Sequence, residues 1–93
     1  MDKYCKAVYK FICLDAYRGK IPGGSVGFTN VKKIEIARIL GIDRNTVARK
    51  VKALMTLGLI SREEKYFRVD IPEEFEGCDI NEKFNEILAE LKG

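Results

Sequence analysis

From Ile34 to Leu54 the chain reads IEIARILGIDRNTVARKVKAL, two runs with apolar residues at helical spacing broken by one glycine. A helix does not run through this break. Gly41 tolerates the φ > 0 conformation that ends a helix, and Asp43 is a preferred N-cap for the next one. Two helices must therefore fold back on each other through Gly41, Ile42 and Asp43, with Ile42 plugging the turn. In the second of them Val47, Val51, Leu54 and Met55 are expected to face a core. Asn45, Arg49, Lys52 and Thr56 recur at i, i+4, i+7 and i+11 on the opposite side.

The flanking segments are read in the same way. Residues 3–18 predict a helix whose apolar arc is about twice the width an ordinary surface helix needs, with Lys3, Lys6, Lys10, Cys13 and Tyr17 on the remaining strip. The glycine-rich run PGGSVG, Pro22 to Gly27, reads as a flexible connection. Thr29 or Asn30 then caps a helix to about Leu40, with Val31, Ile34, Ile36, Ala37, Ile39 and Leu40 as its apolar positions. The helix after the turn spans Arg44 to Leu57 and stops at Gly58. Over 59–71 the period changes to two, with Phe67, Val69 and Ile71 alternating with Tyr66, Arg68 and Asp70, which predicts a short hairpin that Pro72 closes. Asp79 and Glu82 open a last helix over 79–92 with Ile80, Phe84, Ile87, Leu88 and Leu91 on one stripe. The expected class is mainly α with a small β-hairpin, an α+β fold in one domain of 93 residues.

Charge is divided along the chain. Residues 1–72 hold 15 Lys and Arg against 7 Asp and Glu, whereas residues 73–93 hold 2 against 7. A basic body suits a polyanionic partner. There is no histidine, so no Ser-His or Cys-His pair and no histidine zinc ligand. The three cysteines form no C-x-x-C, and no G-K-[ST] follows the glycine-rich run. No enzyme, catalytic residue, cofactor or metal is therefore expected. No run of about 18 apolar residues occurs, and MDKYCK lacks the order of a secretory signal, so the expectation is an intracellular protein. The absence of glutamine and tryptophan beside abundant Ile, Lys and Glu leans toward a hot environment.

A tight glycine turn between two helices, the second presenting a polar cationic stripe, is a helix-turn-helix arrangement. The stretch IARILGIDRNTVARKVKALMTLGLI resembles the winged-helix branch of helix-turn-helix regulators and is similar to the MarR and ArsR groups. The resemblance rests on Ile36, Ala37, Leu40, Gly41, Ile42, Thr46, Val47, Arg49, Val51, Leu54, Gly58 and Leu59, and covers about residues 29–71. More loosely, size and composition are similar to small winged-helix proteins of hyperthermophilic archaeal viruses. The resemblance implies double-stranded DNA as partner, the hairpin as wing, and a transcriptional regulator acting as a homodimer. Expected DNA contacts are Arg44, Asn45, Thr46, Arg49, Lys50, Lys52 and Thr56 on the helix and Arg62, Lys65 and Arg68 on the wing. Lys32, Lys33 and Arg38 are expected to touch phosphate or face solvent. The clustered cysteines and histidines of metal-sensing members are absent, so metal sensing does not carry over. The rival class is a winged helix that docks on an acidic protein surface within a larger complex.

The over-wide first helix and the stripe of the last point to a dimer interface of Tyr4, Cys5, Tyr9, Ile12, Ile80, Phe84, Ile87, Leu88 and Leu91. Cys5 and Cys13 lie eight residues apart, roughly 12 Å along a helix, too far to bond within the chain. An odd count invites a bond between chains, with Cys5 first, Cys78 second and Cys13 third. The plain alternative is three reduced thiols.

Overall fold

Asp2 starts the first helix. Its carboxylate accepts the Cys5 N–H at 2.8 Å, and α1 runs Lys3–Arg18. The computed structural model describes residues 1–20 and 23–93, and in them α1 is the element on which the others assemble. It packs on α4 (Ile80–Lys92), α3 (Arg44–Thr56), β1 (Val26–Thr29), β3 (Tyr66–Asp70) and α2 (Lys33–Leu40). That explains its wide apolar arc: Cys5, Ala7, Val8, Phe11, Ile12, Cys13, Leu14 and Ala16 are all buried within this one chain. The width reflects a central position.

The fold is α+β: the described residues form four α-helices with a three-stranded antiparallel sheet in the order β1-β3-β2, where β2 is Ile60–Glu63. The first of these strands is a departure from the sequence reading. Pro22 lies outside the described residues, but Val26–Thr29 is no flexible connection; it pairs with β3 from Val26↔Asp70 to Thr29↔Phe67. Gly27 marks the closest approach. A Cβ there would lie 2.7 Å from the Ala16 carbonyl oxygen and 2.9 Å from Ile71 Cδ1, so only glycine lets the strand lie against α1.

Thr29 is likewise not a helix cap. It is buried, its hydroxyl donates to the Asp15 carboxylate and accepts the Val31 N–H at 3.0 Å, and it so ties α1 to the lead-in of α2. The helix itself begins at Lys33, where the Glu35 carboxylate accepts the Lys32 N–H at 3.1 Å. The turn follows the expectation. Gly41 has φ 69°, Ile42 N–H donates to the Ala37 carbonyl at 3.0 Å, and Asp43 caps α3 through Asn45 N–H at 2.9 Å. The hairpin turns on Glu64 and Lys65, between the pair Glu63↔Tyr66. After a single 3₁₀ turn, Glu73–Phe75, Asp79 accepts the Glu82 N–H at 3.0 Å and opens α4.

One core joins these elements, with Ile12, Ile36, Val47, Val51, Leu54, Phe67, Phe75 and Ile87 fully buried. Three apolar residues expected inside are instead exposed: Ile34, Ile39 and Met55. In α2 the core takes only Ile36, Ala37 and Leu40, because an eight-residue helix lying on α3 buries one stripe.

Two substitutions test how β1 is seated. Gly27→Ala forces a methyl against backbone and is expected to cost about 1–3 kcal/mol, the range for overpacking. Thr29→Val keeps the shape but leaves the Val31 N–H and the Asp15 carboxylate without their partner, for about 1–3 kcal/mol. Urea unfolding followed by circular dichroism reads both; a wild-type midpoint for Gly27→Ala would refute the tight β1–α1 contact.

Candidate nucleic-acid interface

The helix α3 is held from behind by Val47, Val51 and Leu54, and this fixes what it shows to solvent. Asn45, Arg49, Lys52 and Thr56 are all exposed, as is Arg44; Thr46 is half-buried. The stripe is pre-ordered by local bonds. Arg49 Nη2 donates to Thr46 Oγ1 at 3.2 Å, and Thr56 Oγ1 donates back to the Lys52 carbonyl at 3.0 Å. Lys50 stands apart from it. Its ammonium pairs with the Asp2 carboxylate at 2.8 Å, so it faces the first turn of α1.

Beside α3 lies a groove of about 720 Å³, lined by Asn30, Val31, Lys32, Lys33, Val51, Met55, Arg62 and Lys65. Four cations from the start of α2 and from the hairpin converge on it, and no acid lines it among the described residues. Met55, 40% exposed, is part of its wall rather than of the core. Asn30, Val31 and Met55 escaped the sequence reading because neither spacing nor residue type reveals a groove made by three elements. Lys32 and Lys33 carried a signal, two adjacent lysines at a helix start.

The three hairpin cations do not act together. Arg62 pairs across the ladder with Phe67 and lies 4.7 Å over its ring, on the core side of the sheet edge. Lys65 sits at the turn near Tyr66. Arg68 pairs with Ser61 and Phe28, so it belongs to the outer face of the sheet and does not join the groove.

The expected dimer residues scatter too. Cys5, Ile12 and Ile87 are in the chain's own core, and Tyr9, Phe84, Leu88 and Leu91 pack against it, with the Phe11 and Phe84 rings 6.3 Å apart. Tyr4 and Ile80 alone of the nine are exposed. The stripes of α1 and α4 are apolar because they pack on each other.

The interchain disulfide is overturned. All three cysteines are free, none lies within disulfide distance of another, and Cys5 is only 5% exposed. Burial raises the Cys5 pKa and pushes the Cys13 thiol up to about 12, so both stay protonated and unreactive. No helix is long and apolar enough to cross a membrane among the described residues.

Comparison of the chain with protein-family models, with curated proteins and with solved structures gives no match. The lean toward a hot environment and the likeness to viral proteins thus gain no support, and the staple that would have accompanied them is gone.

Thiol titration checks the burial directly. The native protein is expected to expose one fast-reacting thiol, Cys78, and the denatured protein three; fast loss of a second thiol, absent from Cys5→Ser, would show that Cys5 is accessible after all.

Proposed function

We propose that the protein is a sequence-specific double-stranded DNA-binding regulator of the winged helix-turn-helix type. In this reading α3 is the recognition helix and the β2–β3 hairpin is the wing. One observation carries it: the exposed stripe Asn45–Arg49–Lys52–Thr56 lies next to a groove where Lys32, Lys33, Arg62 and Lys65 converge without an acid. A helix fits the major groove of B-DNA, and Arg and Asn present forks that match guanine and adenine edges there. Cations from two further elements on one flank supply the sequence-independent phosphate term. Duplex DNA as partner places the protein inside the cell. Docking on an acidic protein surface would use the same cations but would survive an excess of bulk duplex.

Selection from a random duplex library, followed by anisotropy titrations over a range of salt, tests the reading. Arg49→Ala and Asn45→Ala are each expected to cost about 1–3 kcal/mol on the selected site and to relax one base position. Lys52→Ala is expected to weaken all duplexes alike and to flatten the salt slope by about one, and Lys33→Ala with Arg62→Ala by about two. Arg68→Ala should change little, because its side chain is on the far face of the sheet. Unchanged base preference in Arg49→Ala would remove α3 from the recognition role.

A homodimer fits this function through a smaller surface than the one first expected, which keeps Ile80 and Phe84 and adds Ile39. Ile39 and Ile80 remain exposed and flank a groove of about 240 Å³ with Phe11, Leu14 and Phe84 on its walls. The apolar part of this groove, which Asp15, Arg18 and Asn81 also line, suits an isologous contact, and a two-fold dimer reads half-sites about 10 base pairs apart or a multiple of that. Ile39→Glu with Ile80→Glu is then expected to turn a sedimenting dimer into a monomer and to halve the footprint. A wild-type monomer at micromolar concentration, with and without DNA, refutes the dimer and leaves the DNA contacts standing.

A further inference from the structure

Of the four cations in α3, Lys50 is the one held by a carboxylate of this chain among the described residues. The geometry of that pair is unusual in one respect. Asp2 uses Oδ1 to accept the Cys5 N–H that caps α1 and Oδ2 to accept from Lys50. The ion pair can therefore open without undoing the cap. Both partners reach solvent, with side-chain exposures of 23% for Lys50 and 53% for Asp2, so the pair is a weak one.

The position of Lys50 gives the pair a use. On a helix each residue is turned about 100° from the last, so Lys50 and Thr46 lie on the flank of α3 next to the stripe, opposite the flank that meets the cationic groove. On this side α3, the tight turn and the first turn of α1 border a cleft of about 520 Å³ lined by Tyr4, Gly41, Asp43, Thr46, Arg49 and Lys50, where the Asp43 carboxylate is engaged in capping α3. A helix seated in a major groove about 12 Å wide has a phosphate backbone along each flank. One backbone meets Lys32, Lys33 and Arg62; the other passes this cleft.

We infer that Lys50 exchanges the Asp2 carboxylate for a backbone phosphate of the bound duplex, with Asp2 acting as a built-in competitor that lowers affinity for every DNA sequence. The inference rests on the DNA-binding reading above. A row of phosphates outweighs one carboxylate, so the exchange runs forward on DNA and reverses off it. Asp2 keeps Lys50 ordered and partly neutralised in the free protein.

The test is Asp2→Asn, which keeps a good N-cap and removes the charge. Anisotropy titrations are expected to show binding about three- to tenfold tighter than wild type, equally on selected and unrelated duplexes. Lys50→Met should weaken all duplexes and flatten the salt slope by about one. In the Lys50→Met background the Asp2→Asn gain should be smaller, because no pair has to open. An equal or larger gain there would mean a general field effect, and no gain in the wild-type background would mean Lys50 never leaves Asp2; either overturns the exchange. If Arg49→Ala still relaxes its base position in those cases, DNA binding stands and only the exchange fails. Absence of salt-sensitive duplex binding by the wild type overturns both.

Discussion

Burial of α1 is the constraint on which the other contacts depend. Eight of its side chains are buried, and they are covered by helices from three other parts of the chain and by the sheet. A chain this short leaves a large share of its surface in water, so one helix with half of its residues buried makes a core possible. The requirement reaches outward. β1 has to come close enough to need Gly27, and α4 has to lay Phe84, Ile87, Leu88 and Leu91 on α1 rather than on a second molecule. The rigidity of α3 has the same source, since Val47, Val51 and Leu54 lock it against the core that α1 organises.

Charge follows this layout. The acidic segment after Pro72 folds back with α4, and two of its residues meet lysines of the first twenty: Lys10–Glu90 at 2.9 Å and Lys20–Glu76 at 3.1 Å. These are surface pairs of small individual worth. Their larger effect is placement, because Lys10 of the first helix is paired with Glu90 of the last while Arg44, Arg49 and Lys52 of α3 have no carboxylate partner among the described residues. A net charge of only +3 thus coexists with a groove walled by four cations. Attraction of a polyanion is decided by the local field, which the total does not describe.

What could be read from the residues alone was whatever a few neighbouring residues determine. The Gly41 turn, the Asp43 and Asp79 caps and the alternation of Phe67 and Val69 are local chemistry, and each appears where spacing put it. The helical stripe of α3 was legible for the same reason. Features fixed by a distant partner were not. Val26–Thr29 is four residues, one of them a glycine, and its first half reads as linker until β3 and Ala16 are known to lie against it. Lys50 is as basic as Lys52 and was expected on DNA with it, yet it lies on the flank of α3, where Asp2, 48 positions away, accepts its ammonium. Cys5 and Ile12 look like surplus apolar surface only while the elements that cover them are unseen.

The small size has a further consequence for the candidate interface. Val51 is fully buried in the core and also lines the cationic groove, and Thr46 is both half-buried and a hydrogen-bond partner of Arg49. No intervening layer separates the side chains that hold α3 in place from those it presents. A change of volume at Val51 would tilt the stripe as well as loosen the core, since a close-packed interior transmits strain instead of absorbing it. The arrangement gives the exposed side chains a rigid seat, which recognition by forked hydrogen bonds requires, because such bonds weaken steeply with misalignment. In the same way it makes the groove dependent on the short α2 staying in place, which Thr29 secures by tying the lead-in of that helix to Asp15 on α1.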